Sequence, residues 1–151
     1  MKKLLFVLPA LLLCSACHKD PDYISGDRII FGFSYAECAG DCSVLYKLSS
    51  QQLLADDCDY CPPTDIPFQR DPLPEDKFNL AAPLLNGIPA GLFDLKEERY
   101  ACPGCNDGIA YFLEITRDGQ THRFSWDYYF QDVPADFKPY FERVVAVIEG
   151  L

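Results

Sequence analysis

Two runs of alternating residues, Ile109 to Thr116 and Thr121 to Trp126, flank Arg117-Asp118-Gly119-Gln120, and together they constrain this chain more than any other feature. Asp-Gly suits the two central positions of a type I′ turn, whose twist matches that of the strands it joins. With Asp118 and Gly119 as the loop, the register follows by counting outward. Ile115 then faces His122, Leu113 faces Phe124 and Tyr111 faces Trp126 on one surface, and Glu114 faces Arg123 on the other. A slip of one residue would send every apolar side chain to the wrong face, so the agreement of these pairs supports the register.

Period-two alternation recurs upstream. Ile29, Phe31, Phe33 and Tyr35 share one face of Arg28 to Tyr35, and Val44, Tyr46 and Leu48 share one face of a second run ending at Ser49. Gln52 to Ala55 suggests a short third strand. The stretch 56–74, rich in Pro and Asp, reads as an irregular loop held by its cysteines.

Helical spacing appears twice. Glu75 to Asn86 opens on acidic residues, repeats Phe78, Ala81, Ala82 and Leu85, and meets a C-terminal stop at Gly87, although Pro83 opposes an unbroken helix. Phe137, Tyr140, Phe141, Val144, Val145, Ile148 and Leu151 trace a continuous stripe, with Asp136 as N-cap and Pro139 in the first turn. The expected class is α+β: a largely antiparallel sheet of four to five strands, in ββ-α-ββ-α order, with two helices on one face.

The N-terminus carries a different signal. Met1-Lys2-Lys3 is a short positive segment, and Leu4 to Leu13 is apolar except for Pro9. Ten helical residues extend about 15 Å, half of a bilayer core, so the run has the dimensions of an export signal rather than a span. Leu13-Cys14-Ser15-Ala16-Cys17 resembles the lipobox of bacterial lipoproteins, although Cys14 stands where leucine is usual. That resemblance implies a signal peptide at 1–16 and acylation of Cys17, the new N-terminus. It also implies a lipidated tether at 17–26 ahead of a single domain at 27–151. The alternative is an ordinary cleaved signal with Cys17 as a structural thiol. His18-Lys19-Asp20-Pro21-Asp22 reads either as a spacer or as a sorting tag for the outer membrane.

Loss of sixteen residues leaves 135, with two fewer of the 13 basic side chains and a formal charge of −12. Such a chain lacks the basic footprint for nucleic acid and is repelled by anionic head groups. A lipid, not a charged patch, would therefore have to hold it at a membrane.

Of the eight cysteines, six remain in the expected domain: Cys38, Cys42, Cys58, Cys61, Cys102 and Cys105. An even count in an exported chain reads first as a disulfide framework, with fifteen connectivities open. Cys58-Asp-Tyr-Cys61 and Cys102-Pro-Gly-Cys105 also have the knuckle spacing of a four-cysteine zinc site, and the second has the residue types of a thiol-redox motif. No helix follows Cys102-Pro-Gly-Cys105 to lower a thiol pKa, and an oxidising compartment disfavours open zinc ligands.

Cys38-Ala-Gly-Asp-Cys42-Ser-Val-Leu-Tyr46 resembles the C-x-G-x-C-P-x-Y signature of a lipoprotein-associated domain family of unknown function. Ser43 stands at the proline and Tyr46 falls one position late. The likeness would extend over most of 27–150, through Phe93-Asp94-Leu95, and it implies no activity.

Motifs for catalysis are missing. The sequence holds no G-x-S-x-G elbow, phosphate loop or H-E-x-x-H, and His122 is the only histidine of the expected domain, on its apolar face. Asp56, Asp57, Asp59 and Asp65 do not form a calcium loop, though paired carboxylates of a hydrolase leave no signature. The expectation is an envelope lipoprotein, lipid-anchored at the outer membrane, whose disulfide-stapled domain is a non-enzymatic interaction or structural module. Its partner would be a protein or glycan of the envelope, without a cofactor. The alternative is a cysteine-ligated zinc or thiol-redox protein.

Overall fold

The hairpin forms in the register that its turn dictates. Asp118 and Gly119 take positive φ values of 51° and 78°, as a type I′ turn requires, and Tyr111, Leu113 and Ile115 pair with Trp126, Phe124 and His122. This computed structural model describes residues 27–35, 42–58, 66–96, 98–105 and 108–151.

Among the described residues the strands are β1 (Arg28–Tyr35), β2 (Ser43–Ser49), β3 (Leu53–Ala55), β4 (Ile109–Arg117) and β5 (Gln120–Asp127). They form one antiparallel sheet in the order β3-β2-β1-β4-β5, with helix α1 (Glu75–Asn86) between β3 and β4 in sequence and α2 (Lys138–Gly150) after β5. The expected α+β architecture is therefore the observed one.

One face of the sheet, here the inner face, carries the core. Ile29, Phe31, Leu48, Leu113, Ile115, Phe124 and Trp126 are buried there with Ala81 and Leu84 of α1 and Phe141 and Val144 of α2. Trp126 and Phe141 meet edge to face with centroids 4.5 Å apart, and Phe141 also meets Phe124 at 5.8 Å and Tyr100 at 6.1 Å. Edge-to-face contact puts the positive rim of one ring on the negative face of the other, in addition to the area buried. The two helices join where the Tyr140 hydroxyl donates to the Leu84 carbonyl at 3.1 Å.

Both helices depart from the sequence reading in detail. Helix α1 continues through Pro83. The amide that proline lacks would have served the carbonyl of Asn79, which lies on the exposed side where water can serve instead. Leu84 rather than Ala82 is the fully buried partner of Ala81. Gly87 does not stop the helix through a left-handed turn, since its φ is −97°. A Cβ there would lie 2.9 Å from the Pro83 carbonyl and 3.0 Å from Arg143 Nη1. In α2 the N-cap is Phe137, with no side-chain cap, instead of Asp136. The preceding turn satisfies the first amides, because Phe137 and Lys138 both donate to the Pro134 carbonyl.

The Pro- and Asp-rich stretch is tied down by backbone as well as by cysteine. Gln69 and Leu73 donate to the carbonyls of Ala55 and Leu53, so the returning chain extends the free edge of β3. Asp56 accepts the Leu45 amide at 3.1 Å while its own amide donates to the Leu45 carbonyl. At the opposite edge, residues 98–100 run parallel beside β5: Ser125 donates to Glu98 and Tyr100 donates to Ser125. Nothing in the local sequence announced this pairing.

Candidate functional site

The two ends of the sheet differ in kind. At one, β1 begins next to Asp27, whose carboxylate lies 3.2 Å from Arg117 Nε beside the hairpin turn. At the other, β1 ends at Tyr35, β2 begins after Cys42, β4 begins after Cys105 and β5 ends at Asp127. Cys58 lies on the chain leaving β3 in that same direction. All four described cysteines thus belong to the second end.

That end is rigid by local chemistry. Cys102 and Cys105 form a disulfide with Cα atoms 5.5 Å apart, closing a ring in which the Cys105 amide donates to the Cys102 carbonyl at 3.0 Å. Ala101 and Gly104 at φ 59° and 78° turn the chain into and through this ring. Both of its cysteines are solvent-exposed. Across from it, one carboxylate oxygen of Asp127 accepts the amides of Tyr129 at 3.0 Å and Gln131 at 3.4 Å. That tight turn, with Phe130 and Asp132 at positive φ, sends Phe130 back onto Trp126 and leaves Tyr128 and Tyr129 outside, 58% and 73% exposed. A hollow of about 400 Å³ separates ring and tyrosines.

A second cleft, of about 410 Å³, opens on the outer face of the sheet at the same end. Leu45 and Phe112 border it from β2 and β4, on either side of Gly32, which contributes no side chain between them. Ile66 and Pro103 add to the lining from the two flanking loops, and Ser34, Ser43, Ser125, Tyr35 and Tyr111 are its hydroxyl-bearing members among the described residues. No charged residue is among its lining residues that are described. Ser43 is 5% exposed, and its hydroxyl has no hydrogen-bond partner among the described residues.

Further up the same outer face, Glu114 is buried and receives Arg123 Nε at 2.7 Å, the pair expected from the register. On the inner face, His122 packs edge-on against Phe93 with centroids 5.0 Å apart. Its Nδ1 lies 3.8 Å from Glu98 and has no hydrogen bond among the described residues. Two phenols of the sheet resist ionisation: burial, aided by the charge of Asp56, raises the pKa of Tyr46, and burial, aided by Glu149, raises that of Tyr111, which borders the cleft.

Of the residues singled out in the sequence, Cys17, Cys38 and Cys61 lie outside the described residues. Cys42, Cys58, Cys102 and Cys105 are all disulfide-bonded. The zinc alternative needs thiolates, and a disulfide offers none until it is reduced. Among the described residues no group of three His, Cys, Asp or Glu is placed to hold a metal ion. The serines of the cleft and the tyrosine turn had not been singled out. Ser34 and Ser43 pair across β1 and β2, so a serine at an outer-face position at the same end of each strand was the available signal. No family model matches the chain, and neither the curated proteins nor the solved structures include a match to it.

Proposed function

We propose that this chain is an outer-membrane lipoprotein of the bacterial envelope, anchored through acylated Cys17, whose domain serves non-enzymatic interaction with an envelope protein or glycan. The lipobox-like Leu13-Cys14-Ser15-Ala16-Cys17 and the mature charge of −12 support the anchor. The observation that carries the interaction role is the polarity of the sheet. The chain enters at Asp27, and the disulfide-bearing, tyrosine-rich surface lies at the far end of β1, about 26 Å away for eight residues in extended conformation. An anchor at the near end presents the far end outward. Tyrosines fixed in a turn supply contact area at small entropic cost, as in many binding surfaces.

The test is fractionation of expressing cells together with metabolic labelling by an alkyne fatty acid. The chain should label and sediment with membranes, and Cys17→Ala should abolish both. Unlabelled chain, or Cys17→Ala that still labels, would defeat the proposal.

A second reading, thiol-redox or zinc chemistry at Cys58, Cys61, Cys102 and Cys105, draws on the exposure of both Cys102 and Cys105. Against it, the residues after Cys105 lead into β4 rather than a helix, so no helix N-terminus stabilises a thiolate. Intact mass after alkylation without reduction separates the two readings. Six free thiols, or one zinc per chain, would favour the second.

A further inference from the structure

We propose that the hollow between the Cys102–Cys105 ring and the Tyr128–Tyr129 turn takes an arginine side chain from a basic segment of a partner protein. This names the partner class of the interaction role above and rests on that role, not on the anchor.

Exposed aromatic side chains gathered in one place mark contact surfaces. Among the described residues the exposed large apolar side chains are Tyr35, Leu80, Tyr128 and Tyr129, and all three tyrosines lie at the far end of the sheet. Tyr128 and Tyr129 border the hollow, their ring planes 87° apart and their centroids 5.6 Å apart. A cation in the corner between two such rings meets the negative face of each. Asp127 borders the same hollow, and its hold on the amides of Tyr129 and Gln131 fixes carboxylate and tyrosines in one turn. A site fixed in this way loses little freedom when a guest arrives.

Charge and magnitude select the guest. The formal charge of −10 on the chain attracts basic partners over distance. A guanidinium is planar and weakly hydrated, stacks on aromatic faces and pairs with carboxylates, so it suits rings and acid together. One exposed ring raises the affinity for a cation only about two- to fivefold, so a free small cation would be held weakly. An arginine carried on a basic peptide adds this contact to the attraction of its other charges.

Calorimetric titration of the full chain in a non-ionic detergent tests the site. The probes are hexaarginine, its uncharged analogue hexacitrulline, and a neutral oligomer of N-acetylglucosamine. Hexaarginine is expected to bind at least tenfold more tightly than either neutral probe. Tyr128→Leu/Tyr129→Leu should weaken it about tenfold, whereas Tyr128→Phe/Tyr129→Phe keeps both ring faces and should stay within about twofold. Asp127→Asn leaves an oxygen for the two amides and should weaken binding about threefold. Asp118→Asn removes the same charge at the hairpin turn, at the opposite end of the sheet, and should leave binding within about twofold. Equal losses from the two asparagine variants, or binding unmoved by the leucine pair, overturn the site. Absence of hexaarginine binding, or equal binding of hexacitrulline, overturns the choice of a cation. Tighter binding of the glycan probe that the leucine pair weakens overturns the partner class, and leaves the interaction role standing. None of these results depends on labelling at Cys17, so failure here is distinct from failure of the anchor.

Discussion

Glu114 and Arg123 face each other across β4 and β5 with Oε2 and Nε 2.7 Å apart, the carboxylate side chain 8% exposed and the guanidinium 51% exposed. Their value to the fold is asymmetric. The acid cannot leave the sheet for water, while the base already sits half in it.

Arg123→Ala therefore strands a buried carboxylate. The expected cost is about 1–2 kcal/mol, below that of a fully buried pair because water can reach the vacated place. Glu114→Gln, which removes the charge and keeps an acceptor, should cost less. Urea denaturation of the two variants at neutral pH orders them.

Phe141 is wholly buried and touches Trp126, Phe124 and Tyr100 at once. Phe141→Ala is expected to cost about 3–5 kcal/mol, the range for an aromatic cavity in a core. Thermal unfolding should show a drop in Tm of at least 10 °C, with a smaller drop for Val144→Ala.

Two glycines should respond to very different degrees. A Cβ on Gly32 would collide with the Val44 carbonyl of the neighbouring strand, so Gly32→Ala must break the β1–β2 ladder or fail to fold. Gly119, at φ 78°, has nothing within 4 Å of its Cβ position. Gly119→Asn keeps a residue that tolerates positive φ and should cost a few tenths of a kcal/mol, with Gly119→Ala nearer 1. Expression yield and urea midpoints report both.

Stability should fall at alkaline pH. Burial raises the pKa of Tyr140 well above its ordinary 10.0, with the nearby Arg117 and Arg143 opposing weakly. The unfolded chain then releases that proton from about pH 10 upward while the folded chain keeps it, so stability present below pH 10 is lost as pH rises. Tyr140→Phe should flatten the slope of stability against pH above 10, at a cost near 1 kcal/mol for the lost bond to Leu84. Equal alkaline slopes in the two proteins would contradict this.

The Cys102–Cys105 ring closes a short loop and is exposed. Loop entropy limits its contribution to about 2 kcal/mol. The double variant Cys102→Ser/Cys105→Ser should remain folded, with a urea midpoint lowered by no more than that amount.

Much of the sheet was legible because its signals are local. Alternation in Arg28 to Tyr35 and in the two arms of the hairpin, with Asp118-Gly119 between them, specifies strands, faces and register at once. Helix α2 was equally plain from its stripe, although its cap was not, because Pro134 satisfies amides that a side chain at 136 was expected to serve. Residues 98–100 and 66–73 escaped, since neither alternates and both acquire their geometry from backbone pairing with an edge supplied by other segments. The cleft escaped for the same reason. Ser43 is an ordinary strand residue until Ile66 and Pro103 arrive beside it.

Sequence alone determined the elements, the inner face and the antiparallel register, because side-chain period and turn chemistry act over a few residues. It also holds Leu13-Cys14-Ser15-Ala16-Cys17, the stretch on which the proposed anchor rests. Only the tertiary structure decided that β1 takes the centre, that α1 tolerates Pro83, and that all four described cysteines lie at the end of the sheet away from Asp27. Those outcomes depend on which segments meet across the core. Contacts between distant residues are set by the summed burial of many side chains, and no short stretch of sequence records that sum.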